Sequence, residues 1–195
     1  MQMNQPQWLG SSGENLLLRI PKSYAMPKVF FRVIMCMLLC LFTQTIVASP
    51  PKKIKGKVVR IMDGDTFEIL VKKETVRIRL SAIDAPEKGQ DYYQKSKQAL
   101  SDLCFNKTVT VELLRKDRYQ RWIGDVYNSK GEYINGWMIA GGHAWHYTEY
   151  SKSAPLAAAQ ATAKRNKLGL WKQAKPVAPW EFRAAKNKNR KKKAA

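Results

Sequence analysis

Residues 54–87 read IKGKVVRIMDGDTFEILVKKETVRIRLSAIDAPE, and their pattern decides the fold. Apolar residues recur with a period near two: Ile54, Val58 and Val59 run into Ile61, then Phe67, Ile69 and Val71, then Val76, Ile78, Leu80 and Ala82. Such alternation places one set of side chains on a buried sheet face and the other in water. Breaks at Asp63-Gly64-Asp65 and Lys72-Lys73-Glu74 cut the run into three strands of a tight meander.

Working outward, a helix is expected over about Tyr92 to Cys104, with Ala99, Leu100, Leu103 and Cys104 on one side. Val109, Val111 and Leu113 mark a fourth strand, and Trp122 to Tyr127 a fifth. A short helix is expected from Asn135 to Ala140, closed by Gly141-Gly142, then a strand-like segment at about His143 to Tyr147. A last helix runs from about Pro155 to Leu168, with Ser153 as N-cap and Gly169 as its stop. Short strands early and helices late predict an α+β or mainly β chain: a five-stranded oligonucleotide-binding (OB-fold) barrel carrying about three packed helices.

The expected domain spans 54–172. Residues 50–53, Pro-Pro-Lys-Lys, read as an extended leader. The tail, 173–195, is Pro-containing and then strongly basic from Lys186 to Lys193, a composition read as disordered and suited to a nonspecific polyanion arm or a solubility tail.

The first 48 residues read as an address. Lys28 and Arg32 precede a mostly apolar stretch, Val33 to Val47, followed by Ala48 and Ser49, the order of a secretory signal peptide. The apolar core is about fifteen residues, short of the roughly 20 a membrane span needs. Export to a periplasm or the medium is therefore expected, with cleavage after Ala48 and no stable span afterwards; a retained anchor is the alternative. Met26 is an alternative start, with residues 1–25 as upstream sequence.

The whole chain carries 35 basic and 15 acidic side chains among 195 residues, a formal charge of +20. Without residues 1–48 the balance is 31 against 14, or +17. An excess this large attracts polyanions, nucleic acid or an anionic membrane. Cys36 and Cys40 belong to the signal, so Cys104 alone remains and stability must come from a packed core.

Two acidic motifs carry the chemistry: Asp63-Gly64-Asp65-Thr66 and Arg79-Leu-Ser-Ala-Ile-Asp84-Ala-Pro-Glu87. Alone, Asp63-Gly64 is a turn signal. Together, the motifs place carboxylates at the rim of a barrel, where they repel unless a cation sits among them. A hard divalent ion with oxygen ligands fits, and calcium tolerates irregular geometry better than magnesium. His143 and His146 have no third ligand nearby in sequence and no pattern suited to a nucleophilic triad. Cys104 reads as packed rather than reactive.

Residues 54–172 resemble the staphylococcal (micrococcal) nuclease, or thermonuclease, family. The motifs that carry the resemblance are Val58 to Thr66, Val76 to Leu80, Ile83 to Glu87, Asp117-Arg-Tyr-Gln-Arg121 and Leu168-Gly-Leu-Trp171, in family order. The resemblance implies an OB-type barrel with three helices, one Ca2+, and cleavage of DNA and RNA, without regard to sequence, to 3′-phosphate products. It implies that Asp65 and Asp84 bind the metal through carboxylates, and that Ala85 offers a backbone carbonyl where the family prototype has threonine. Glu87 falls on the carboxylate that activates or orients water, and Arg79 and Arg121 on the arginines that bracket the phosphate. Tyr119 matches a nucleotide-pocket tyrosine. An ungapped match favours Tyr150 as a second, with Trp145 and Tyr147 as neighbouring alternatives. A monomer acting on single-stranded or locally opened substrate is expected. The alternatives are a binding module that kept the barrel and lost catalysis, and a cationic membrane-associated protein; the second explains the charge but not the ordered carboxylates.

Overall fold

The alternating stretch forms β1 (Lys52–Ile61), β2 (Thr66–Val71) and β3 (Glu74–Leu80) in the computed structural model, which describes residues 50–194. After a short β4 (Ile83–Asp84) come α1 (Tyr93–Cys104), β5 (Thr108–Lys116), β6 (Trp122–Tyr127), α2 (Ile134–Ala140), β7 (Trp145–His146), α3 (Ala154–Arg165) and α4 (Pro179–Ala194). The expected signal segment, the anchor alternative and the Met26 start lie outside the described residues. Among those described, no helix is long and apolar enough to cross a membrane.

The five long strands close into a barrel in the order β1-β2-β3-β6-β5. All neighbours are antiparallel except β3 and β6, which run parallel through Ile78↔Trp122, Arg79↔Ile123 and Leu80↔Gly124. This is the expected five-stranded barrel of OB type. Its interior is the inward set of the alternating pattern: Val58, Phe67, Ile69, Ile78, Leu80, Val109, Val111 and Val126 are fully buried. Each such side chain removed from water stabilises the fold by roughly 1.5–3 kcal/mol. The residues expected as a leader enter β1 at Lys52, which pairs with Leu113.

Helices cap the barrel. From α1, Leu100 and Cys104 face the core; from α2, Ile134, Met138 and Ile139; from α3, Leu156. Ser153 caps α3 by accepting from the Leu156 N–H. The helix ends at Arg165, three residues earlier than expected, because Lys167 takes a positive φ of 49° and breaks the repeat. Gly169 then has φ +54°, and a Cβ there would lie 2.1 Å from the Gly142 carbonyl oxygen. Only glycine permits this contact. It lets the Gly169–Lys172 turn pack Leu170 and Trp171 inward, beside Ala163.

Asn135 is the polar key of the barrel and is fully buried. Its Oδ1 accepts from the Val126 N–H, while its Nδ2 donates to the carbonyls of Ser81 and Gly124. Asn135→Ala strands these groups away from water, and a loss of about 2–4 kcal/mol is expected by urea denaturation.

One expectation is corrected. The tail is not disordered throughout: Pro179–Ala194 forms α4, and Ala178 and Pro179 at its start are buried. Pro179 suits the first turn of a helix. Trp180 stacks flat on Tyr147, centroids 5.2 Å apart, and meets Trp145 edge-on at 5.6 Å. Apolar burial at this end overcomes the charge repulsion that the basic end favours.

Candidate active site

The site is built where β2 starts, where β3 ends, and where the β5–β6 loop folds over. The Asp63-Gly64-Asp65 turn is fixed by the Met62 and Asp63 N–H groups, both donating to the Thr66 carbonyl. A Cβ on Gly64 would lie 2.0 Å from Ser96 Oγ and 2.8 Å from the Ala85 Cβ, so the turn seats directly on α1 and on the second motif. Leu80 N–H donates to the Asp65 carbonyl at 2.8 Å, tying the end of β3 to this turn. Ala82, at φ 59°, then swings the chain into β4, which pairs with β7 through Ile83↔His146 and Asp84↔Trp145.

These constraints aim two aspartates from separate loops at one guanidinium. Arg79 Nη1 lies 2.5 Å from Asp65 Oδ1, and Arg79 Nη2 donates to Asp84 Oδ1 at 2.8 Å. Asp65 and Asp84 are only 3% and 1% exposed, so neither carboxylate is neutralised by water. Asp65 also accepts from Thr66 Oγ1 at 2.8 Å and from the Ala85 N–H at 3.1 Å. Burial pushes the Asp65 carboxyl up, but Arg79 and these donors outweigh it and hold the group below the ordinary range. Asp63 goes the other way. Burial, then repulsion from Asp65, raises it to about 7. Asp63, part of the first acidic motif but given no role of its own there, is a further carboxylate of the site.

Asp63, Asp65, Ala85, Glu87, Arg79, Arg121, Tyr119, Tyr147 and Tyr150 all line one open pocket of about 710 Å³. Asp84 lies behind that wall, covered by guanidinium groups. Glu87 is fixed through its backbone, its N–H donating to Gln90 Oε1. Arg121 reaches the pocket from the β5–β6 loop, which Asp117 organises: Asp117 Oδ1 accepts from the Tyr119 and Arg121 N–H groups, and Oδ2 accepts from Arg121 Nε at 2.7 Å. This explains the spacing of Asp117-Arg-Tyr-Gln-Arg121, whose first residue orients its last. Tyr119 and Tyr150 are 62% and 61% exposed at the rim, open to a stacked base. Tyr147 sits beside Tyr150, while Trp145 packs edge-on against Trp171 and takes no place in the pocket wall. Arg77 shares the outer face of β3 but pairs with Glu68.

The remaining groups have structural partners. His143 Nδ1 meets the Tyr92 hydroxyl at 3.1 Å, and His146 Nε2 meets Ser151 Oγ at 3.1 Å. Cys104 is buried and its thiol donates to the Leu100 carbonyl; burial pushes it up to about 12, far from thiolate chemistry.

One side chain of this pocket carries no sequence motif. Arg183, from the first turns of α4, enters the same pocket. Its Nη2 donates to Asp84 Oδ2 at 2.8 Å, and its Nη1 to Glu87 Oε1 at 2.6 Å and to Asp84 Oδ1 at 3.2 Å. The available signal was Pro179-Trp-Glu-Phe182, two large apolar residues behind a helix-starting proline, which mark a packed segment ahead of the basic run.

The donor set is all oxygen and strongly anionic. Among the described residues no three His, Cys, Asp or Glu side chains converge as a ready-made metal cage, since guanidinium groups stand between the carboxylates. The donor chemistry nevertheless fits a hard cation, since Asp63, Asp65 and Glu87 bring carboxylate oxygens to one pocket with the Ala85 backbone beside them.

A family model described as "Staphylococcal nuclease homologue" matches residues 77–173, a span from Arg77 on β3 past the turn that holds Trp171. An Escherichia coli O157:H7 protein described as "Uncharacterized endonuclease" is 45% identical over 133 residues, covering 68% of this chain and 87% of that protein. The chain belongs to the staphylococcal nuclease family. "Micrococcal nuclease" of Shigella flexneri is similar at 40% identity, over 67% of this chain and 81% of its own length. "Staphylococcal-like nuclease CAN1" of Arabidopsis thaliana is similar at 38%, over 66% of this chain but 38% of its own length. The chain is therefore a nuclease, a phosphodiester hydrolase, and this pocket sets carboxylates beside the guanidinium groups of Arg79, Arg121 and Arg183 and exposed aromatic rings.

Proposed function

We propose that this family nuclease is exported and hydrolyses DNA and RNA without sequence preference, in a calcium-dependent reaction leaving 3′-phosphate ends. The observation that carries the reading is the convergence of Arg79, Asp65, Glu87 and Arg121 on one pocket, with Asp84 directly behind Arg79. Asp65 and Asp84, with the Ala85 backbone carbonyl, would hold the ion, and Asp63 would add charge beside it. Bound calcium supplies Lewis-acid polarisation of a phosphate oxygen and of water.

The chain's own residues do the rest. Glu87, exposed enough to meet water, takes the proton of the attacking water as its oxygen bonds to phosphorus. The P–O5′ bond breaks, a proton is taken up by the departing oxygen, and a 3′-phosphate and a 5′-hydroxyl result. Arg79 and Arg121 offer forked donors to the oxygens on which charge builds. Tyr119 and Tyr150 stack on bases without reading their edges, which agrees with loose specificity. The basic end of α4 offers further phosphate contacts, so affinity should fall steeply as salt rises.

The test is digestion of plasmid DNA and total RNA with calcium or with excess chelator, followed by end-group analysis. Cutting confined to the calcium tube, leaving 3′-phosphates, is expected. Equal degradation in both tubes overturns the metal requirement, and 5′-phosphate ends overturn the direction of cleavage.

A further inference from the structure

Arg183 contacts three of the four carboxylate oxygens that Asp84 and Glu87 provide between them. With Arg79 on Asp84 Oδ1, both oxygens of Asp84 are engaged by guanidinium groups. A divalent ion on Asp84 must take an oxygen that Arg183 now holds. With Arg79 and Arg183 already on this buried carboxylate, a divalent ion would add a third cation where water screens the repulsion poorly. A divalent ion on Asp84 and the Arg183 contact therefore exclude one another.

We propose that α4 is a built-in latch, in which Arg183 serves as an intramolecular cation competing with the divalent metal for Asp84 and pairing with Glu87. The inference rests on the metal reading above and adds regulation to it. Three features show that the contact is built rather than incidental. Trp180, three residues before Arg183, lies flat on Tyr147 and edge-on to Trp145, which fixes the start of the helix. Ala178 and Pro179 are buried, and Gln90 Nε2, from the segment after Glu87, donates to the Val177 carbonyl at 2.6 Å. Thus the strap leading to α4 is bonded to the loop that carries Glu87, and the aromatic stack sits on the element that pairs with β4. Both sides of the Arg183 contact are positioned independently of the contact itself.

The latch makes calcium binding a population problem. Only the fraction of molecules with Arg183 withdrawn binds the ion at Asp84, so the apparent affinity falls by that fraction. A latch closed nine times in ten weakens apparent affinity about tenfold. Undocking α4 at Trp180 should have the same effect as removing the guanidinium, because both empty the same contact.

The experiment is calorimetric titration of calcium into the full chain, its R183A variant and its W180A variant, with hydrogen exchange at residues 179–192 measured with and without calcium. The expected result is a Kd lowered about tenfold or more in both variants, and faster exchange of α4 in the original chain when calcium is added. A Kd unchanged or raised by R183A overturns the latch while leaving the metal site intact, as does α4 exchange indifferent to calcium. If no form binds calcium, the metal reading itself fails and the latch with it. Folding of the variants is checked by retained protection of the barrel strands.

Discussion

Replacing Arg79 by alanine should lower the rate of phosphodiester cleavage by about two to four orders of magnitude, by comparison with other losses of a preorganised charge contact. The same substitution should also destabilise the fold, and the pairing of the two effects is diagnostic. Arg79 is the only residue that touches both Asp65 and Asp84 through its side chain among the described contacts, at 2.5 and 2.8 Å. Without it, buried carboxylates face each other with less compensation, a situation that typically costs about 3–5 kcal/mol. Calcium should return part of that stability, because an ion bound only by the folded state stabilises it by mass action. Denaturant melts in chelator and in calcium measure the stability, and initial rates on plasmid DNA measure the chemistry. Arg79→Lys should recover more stability than rate, since an ammonium neutralises charge but cannot fork onto two phosphate oxygens. If the alanine variant cut at the original rate, Arg79 would be a strut for the aspartates and nothing more.

Glu87→Gln separates chemistry from folding more cleanly. The side chain is about two-fifths exposed, and its hydrogen-bond partner is Arg183. The amide keeps size and shape and can still accept a bond from Arg183, so thermal stability should stay close to that of the original chain. Water activation should be lost, because an amide does not take a proton at neutral pH, and a fall of about two to four orders of magnitude in rate is expected. Binding of a single-stranded oligonucleotide, followed by fluorescence anisotropy, should change little. A variant that binds and cuts normally places the general base elsewhere. One that binds but does not cut separates this nuclease from an OB-fold module that merely holds nucleic acid.

Much of the fold was legible because it rests on local rules. The alternation from Val58 to Leu80 named the inward residues of β1 to β3, although Val59, counted with them, faces outward; the Ser153 cap marked the start of α3. The end of α3 was less legible, since the left-handed residue at Lys167 answers to the close contact of Gly169 with Gly142 rather than to helix propensity. At the site, Asp65, Asp84, Glu87, Arg79 and Arg121 were named from motifs; the pocket gathers all but Asp84, which lies behind its wall on Arg79. Asp63 was named within the first acidic motif but given no role of its own, because its raised carboxyl depends on burial against Asp65 that no local rule states.

By itself the sequence determined the barrel, the charged residue types at its rim and the spacing that lets Asp117 aim Arg121. These follow from side-chain periodicity and contacts within a few residues. Only the tertiary structure decided that Trp145 packs inside while Tyr147 and Tyr150 face the pocket, and that Arg183 reaches Asp84 across 99 positions of chain. That contact depends on a proline-started helix docking its tryptophan on a tyrosine of another element. Whether a basic tail stays in water or folds back is set by the burial surface it finds, which composition does not contain.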